Sequence, residues 1–196
     1  MLSRAGGLLA AVILSAAGLP AATPLPASFQ KGLTEAGMAY TAPASWKAVP
    51  VRPNGDMNYE YALKHPTRKF EVRYAIRPLA GLLREYAAAK KKGEVMVDPN
   101  NFHEGTLQAM LLNISGGQDA PVQEFDAQAV RQEFGADWGA TSLLTPSPSF
   151  APGYKYCMVV ALHKANRADA YYFYLAANKA DLEPGMEPAF HSLRFR

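Results

Sequence analysis

Between Met57 and Arg77 the chain alternates apolar and polar side chains in two successive runs, a pattern that only paired strands satisfy. Met57, Tyr59, Tyr61 and Leu63 alternate with Asn58, Glu60, Ala62 and Lys64. Phe70, Val72, Tyr74 and Ile76 then alternate with Glu71, Arg73, Ala75 and Arg77. A period of two sends the two sets to opposite faces of a pleated strand, and His65-Pro66-Thr67-Arg68 between the runs predicts a hairpin turn. Folding there pairs Leu63 with Phe70, Tyr61 with Val72 and Tyr59 with Tyr74. The same register sets Glu60 opposite Arg73, so apolar and charge matching agree. One face is expected in the core and the other in solvent.

The remaining segments sort around this hairpin. Phe29 to Ala36 reads as a short amphipathic helix, and Met38 to Thr41 and Trp46 to Val51 as two short strands separated by Pro43. Leu79, Leu82, Leu83 and Tyr86 fall at helical spacing and lead into Lys90-Lys91-Lys92 before Gly93, the signature of a helix C-terminus. Asn101 with Glu104 resembles a capping box ahead of Leu107, Met110, Leu111 and Ile114. Asp126 is placed to cap a third helix through Phe134. Ala136 to Leu144, Tyr154 to His163 and Ala170 to Ala176 read as strands. The last two are apolar on both faces, so they are expected in the middle of a sheet flanked by helices. Glu187 to Phe195 reads as a short closing helix. This order of elements predicts an α+β domain with a mainly antiparallel sheet.

Residues 1–22 stand apart. Arg4 precedes an apolar run from Leu8 to Leu19, and small residues follow at Ala16, Ala17, Gly18, Ala21 and Ala22. That order is the pattern of a secretory signal peptide, and a dozen apolar residues fall short of the roughly 20 that span a bilayer as a helix. The expected organisation is a signal peptide over 1–22, a Pro-containing linker over 23–28 and one domain over 29–196. The product is expected to be periplasmic or secreted, not membrane-spanning. The single cysteine, Cys157, leaves such a domain without an internal disulfide, so packing must supply its stability.

Charge and motifs exclude several activities. The net charge of +3 falls by one once Arg4 is set aside, too weak a balance to indicate a nucleic-acid partner. The chain has no phosphate-binding glycine loop, dinucleotide fingerprint or nucleophile elbow. His103-Glu104 starts like a zinc-protease helix, but Leu107 stands where the second histidine is required. Cys157 lies among apolar strand residues, as an inert core thiol does. No cofactor or metal is expected.

The remaining candidates are basic. His65, Arg68 and Lys69 flank one hairpin turn, and His163, Lys164 and Arg167 flank another, with Trp138 near the second. Were both turns at one end of the sheet, they would form a basic rim for an anionic partner. Two alternatives remain open: a catalytic site with His163 as base, oriented by Asp137 or Asp169, and an aromatic-lined cleft for a small ligand.

Three stretches carry a family resemblance. Tyr40-Thr41-Ala42-Pro43-Ala44-Ser45-Trp46, Phe134-Gly135-Ala136-Asp137-Trp138 and Phe190-His191-Ser192-Leu193-Arg194-Phe195, with the paired late strands, resemble the PsbP-like superfamily. That group includes the extrinsic subunit P of photosystem II, a Ran-GTPase-binding nuclear import factor and exported bacterial proteins. The resemblance implies a three-layer α/β/α sandwich around an antiparallel sheet, used to dock partners and not for catalysis. It brings no catalytic residues, and nothing in the sequence marks a thylakoid protein. The expected function is therefore that of an exported, non-catalytic accessory or adaptor protein binding a protein or envelope component.

Overall fold

The computed structural model describes residues 24–196, and the leader expected over 1–22 lies outside them. Helix α1 (Ala27–Ala36) starts directly after Pro26, inside the expected linker. It stops on Gly37, whose φ of 65° turns its N–H back to the carbonyls of Leu33 and Thr34. Strands β1 (Met38–Tyr40) and β2 (Lys47–Ala48) are short. The alternating runs become β3 (Tyr61–Lys64) and β4 (Phe70–Pro78). Three features follow in order: helix α2 (Ala80–Lys92), helix α3 (His103–Ser115) and the two-residue strand β5 (Gln123–Glu124). Helix α4 (Ala127–Phe134) begins on Asp126, whose carboxylate accepts from the N–H groups of Gln128 and Ala129 at 2.9 Å. Strands β6 (Trp138–Leu144), β7 (Tyr156–Lys164) and β8 (Ala168–Ala176), the short helix α5 (Leu182–Met186) and strand β9 (Leu193–Phe195) complete the chain.

Seven strands form one antiparallel sheet in the order β2-β3-β4-β8-β7-β6-β5, while β1 and β9 pair separately. Central β8 is buried along its whole length, as a strand apolar on both faces must be. Its Tyr172 and Tyr174 pack toward α1, α4 and α5 with Phe29, Val130 and Phe134. Tyr171, Phe173 and Leu175 pack the other way, toward Leu107, Met110, Leu111 and Ile114 of α3. Burying each such side chain stabilises the fold by roughly 1.5–3 kcal/mol. The architecture is α+β, with helices on both faces of a large antiparallel sheet.

Four local expectations are corrected. The hairpin register shifts by two residues: Leu63 faces Val72 and Tyr61 faces Tyr74. A five-residue turn replaces the tighter one, because His65 Nδ1 accepts from the N–H groups of Thr67 and Arg68. A slip of two keeps every side chain on its face, so the apolar pattern could not discriminate between the registers. Glu60, expected opposite Arg73, instead binds the Ile76 N–H and the Arg77 guanidinium.

The second hairpin face is not solvated. Arg73 is 2% exposed, held between the rings of Tyr59 and Phe150 while it donates to Glu71 and to the Phe150 carbonyl. Asn101 does not cap α3; Asp98 instead caps the preceding turn by accepting from the Asn100 N–H. Finally, the expected closing helix stops near Ala189, and Leu193–Phe195 is a strand that completes β1.

Candidate functional site

The expected basic rim divides in two. Strand β4 pairs with β8 from Phe70 opposite Ala176 to Pro78 opposite Ala168. Nine antiparallel residues span roughly 27 Å, so the turn carrying His65, Arg68 and Lys69 lies at one end of the sheet. Trp138, His163, Lys164 and Arg167 lie at the other, and the structure does not bring the two groups together. Two of the rim cations are also neutralised, Arg68 by Asp181 at 3.1 Å and Lys164 by Asp137 at 2.9 Å. Burial opposes the charge on Asp137, yet Lys164 and the Ala165 N–H hold its carboxyl below the usual range.

At the His163 end, register builds a polar row across four strands. Arg77 faces Asp169, Asp169 faces His163, and His163 faces Trp138. His163 donates from Nδ1 to Asp169 Oδ1 at 2.7 Å, and both side chains are nearly buried. The ring of His103, the first residue of α3, lies flat on that of His163, 4.1 Å between centroids and 13° from parallel. His103 donates from Nδ1 to the Asn100 carbonyl at 2.8 Å, and the Trp138 ring meets it edge-on at 4.8 Å. Next to this row the Tyr171 hydroxyl is buried with no hydrogen-bond partner among the described residues, and burial with the nearby Asp169 charge pushes its phenol up. Asp169 orients His163 as a triad acid orients its base, but His103 covers the ring. The main clefts of the described residues are lined elsewhere.

The opposite end is open. A cleft of about 540 Å³ is lined by Leu25, Tyr40, Trp46, Lys47, Tyr61 and Leu63, a volume in the range of small-molecule and peptide-anchor sites. Trp46 stands edge-on to His65 and Phe70, at 5.1 and 5.9 Å. Burial first, and then the Arg68 guanidinium, hold the His65 imidazole below its ordinary value. Lys47 faces Lys64 directly across the β2–β3 ladder, and both are exposed. Neither has a carboxylate within ion-pairing distance among the described residues. Like charges directly opposite destabilise a ladder, and here both ammonium groups stand in solvent.

The chain matches no family model and no curated protein. Local geometry therefore carries the functional argument. Sequence reasoning named Trp138 and His163 but missed His103 as their neighbour, because nothing local in the sequence ties the start of α3 to β7. It also missed Trp46 and the Lys47/Lys64 pair, which only the β2–β3 register unites. Among the described residues no group of three or more His, Cys, Asp or Glu side chains is arranged to hold a metal ion. Cys157 is wholly buried, and that burial pushes its thiol up. No helix of the described residues is long and apolar enough to cross a membrane.

Proposed function

We propose that the protein is an exported, non-catalytic accessory protein that docks an acidic, extended segment of a partner protein beside β2. One observation carries the reading: an aromatic cleft borders the edge strand β2, whose Lys47 faces Lys64 of β3 with neither lysine neutralised. Edge strands offer free backbone groups to an added peptide, and side pockets select its residues. Here Tyr40, Trp46 and Tyr61 receive an apolar anchor, while Lys47 and Lys64 receive flanking carboxylates. The PsbP-like resemblance of the Tyr40–Trp46 stretch supports the same reading, since docking is what that superfamily would imply. The secretory pattern of the sequence over residues 1–22 supports the export.

Trp46 reports on the cleft directly. In a Trp138→Phe background, titration with a synthetic peptide alternating glutamate and phenylalanine should quench or shift Trp46 emission saturably, and Lys47→Glu with Lys64→Glu should abolish the effect. Equal response to the matching lysine–phenylalanine peptide would overturn the charge argument. Saturation by a free aromatic carboxylate alone would replace the adaptor reading with that of a small-ligand carrier.

The hydrogen bond between His163 and Asp169 favours a second reading, an enzyme assembled around His163. It requires His103 to move off the ring, and a His103→Ala variant that gained reactivity toward a histidine-directed reagent without unfolding would support it.

A further inference from the structure

We propose that the C-terminal tip of α2 is a docking point for an anionic lipid surface. Helix α2 contains no buried residue along its 13 positions, and Leu83, Tyr86 and Ala89 are its partly covered side chains. It ends in Lys90, Lys91 and Lys92, all exposed, and turns on Gly93 into a segment where Val95 is fully exposed and Val97 is 55% exposed.

Packing needs no such apolar pair at a loop tip, and among the described residues the three lysines have no strong partner: Lys92 lies 3.9 Å from Glu94 with both side chains largely exposed. Successive residues of an α-helix are rotated by about 100°, so three consecutive lysines spread over more than half the circumference of the helix end. A protein surface approaching from one side meets at most part of that ring. Lipid head groups surround an inserted tip, so they meet all of it, while the two valines just beyond reach the acyl boundary. The geometry therefore selects an end-on contact with an anionic bilayer, independent of the cleft beside β2.

The only cysteine, Cys157, is buried, so Val95→Cys can be labelled selectively with an environment-sensitive fluorophore. In the full chain, where residues 1–22 are common to every variant, the probe should shift to shorter wavelength with vesicles of phosphatidylglycerol and phosphatidylcholine. It should stay unshifted with phosphatidylcholine alone and lose the shift at high salt. Replacing Lys90, Lys91 and Lys92 with Gln should weaken vesicle affinity by about 100-fold, each lysine near the surface counting for roughly a fivefold factor. Trp46→Ala should leave the shift unchanged. No shift at position 95, or an equal shift on the zwitterionic vesicles, would overturn the proposal; so would loss of the shift in the Trp46 variant.

Discussion

The imidazoles of His103 and His163 lie flat against each other at 4.1 Å, one from the first turn of α3 and the other from a central strand of the sheet. Each ring commits its Nδ1 elsewhere, His103 to the Asn100 carbonyl and His163 to Asp169. The stack therefore fixes where α3 begins on the sheet. His103→Phe preserves a flat aromatic ring and should leave stability within about 0.5 kcal/mol of wild type, whereas His103→Ala should cost about 1 kcal/mol, the usual worth of an aromatic pair. Urea unfolding of the two variants checks this; equal losses would show that the ring's polar atom, and not its stacking, matters.

Arg73 is the least replaceable charge in the sheet. Its guanidinium is sandwiched between Tyr59 and Phe150 at 4.7 and 4.9 Å and bonded to Glu71 at 2.7 Å. Glu71 also accepts from the Tyr154 hydroxyl. Removing one member of a buried pair strands the other, so Arg73→Ala should lose about 3–5 kcal/mol. Arg73→Lys should recover little, because an ammonium cannot stack flat or fork between two acceptors. Chemical denaturation of both variants beside Glu71→Gln with Arg73→Met, which removes the charges together, is the test. The double variant should be milder than Arg73→Ala.

His65 predicts a pH dependence. Burial and Arg68 hold its imidazole below the ordinary value of 6.5, and Nδ1 must stay unprotonated to accept from Thr67 and Arg68. The unfolded chain then binds protons that the folded chain refuses, so this contribution is complete above pH 6.5 and is lost as pH falls through the lower folded value. Replacing His65 with Asn keeps a turn acceptor without the titration. The wild type should lose stability relative to His65→Asn between pH 7.5 and about 5.5; parallel curves would refute the assignment.

Gly135 couples α4 to β9. Its φ of 67° is left-handed, and a Cβ there would stand 2.6 Å from the Phe195 carbonyl oxygen, a backbone atom that cannot swing away. Gly135→Ala should therefore cost more than the roughly 1 kcal/mol of an ordinary left-handed position. Amide exchange at the β1–β9 pair should accelerate in that variant more than exchange in β8.

Period-two and helical spacing made most of the elements legible: β4, β7, β8 and the buried face of α3 all follow from side chains within a few residues of one another. The failures are non-local. Tyr61 can face Val72 or Tyr74 with the same apolar burial, and only the His65-bonded turn decides. Leu193 and Phe195 look like the end of a helix until Met38 and Tyr40 are placed beside them. The candidate site was legible in type but not in place: His65 and His163 sit at similar turns, and only the full register of β4 against β8 shows that they lie far apart.

The pairing of β1 with β9 fastens one of the first segments of the described chain to one of the last, and the Arg196 N–H closes onto the Gly37 carbonyl. Until Leu193–Phe195 has been synthesised, β1 has no strand to pair with, although α1 already has its seat on β4 through Phe29 and Tyr74. Contacts of such long sequence separation form slowly, since loop closure precedes any gain from them. The domain is thus a buckle fastened late, and any extension appended beyond Phe195 bears directly on the first helix.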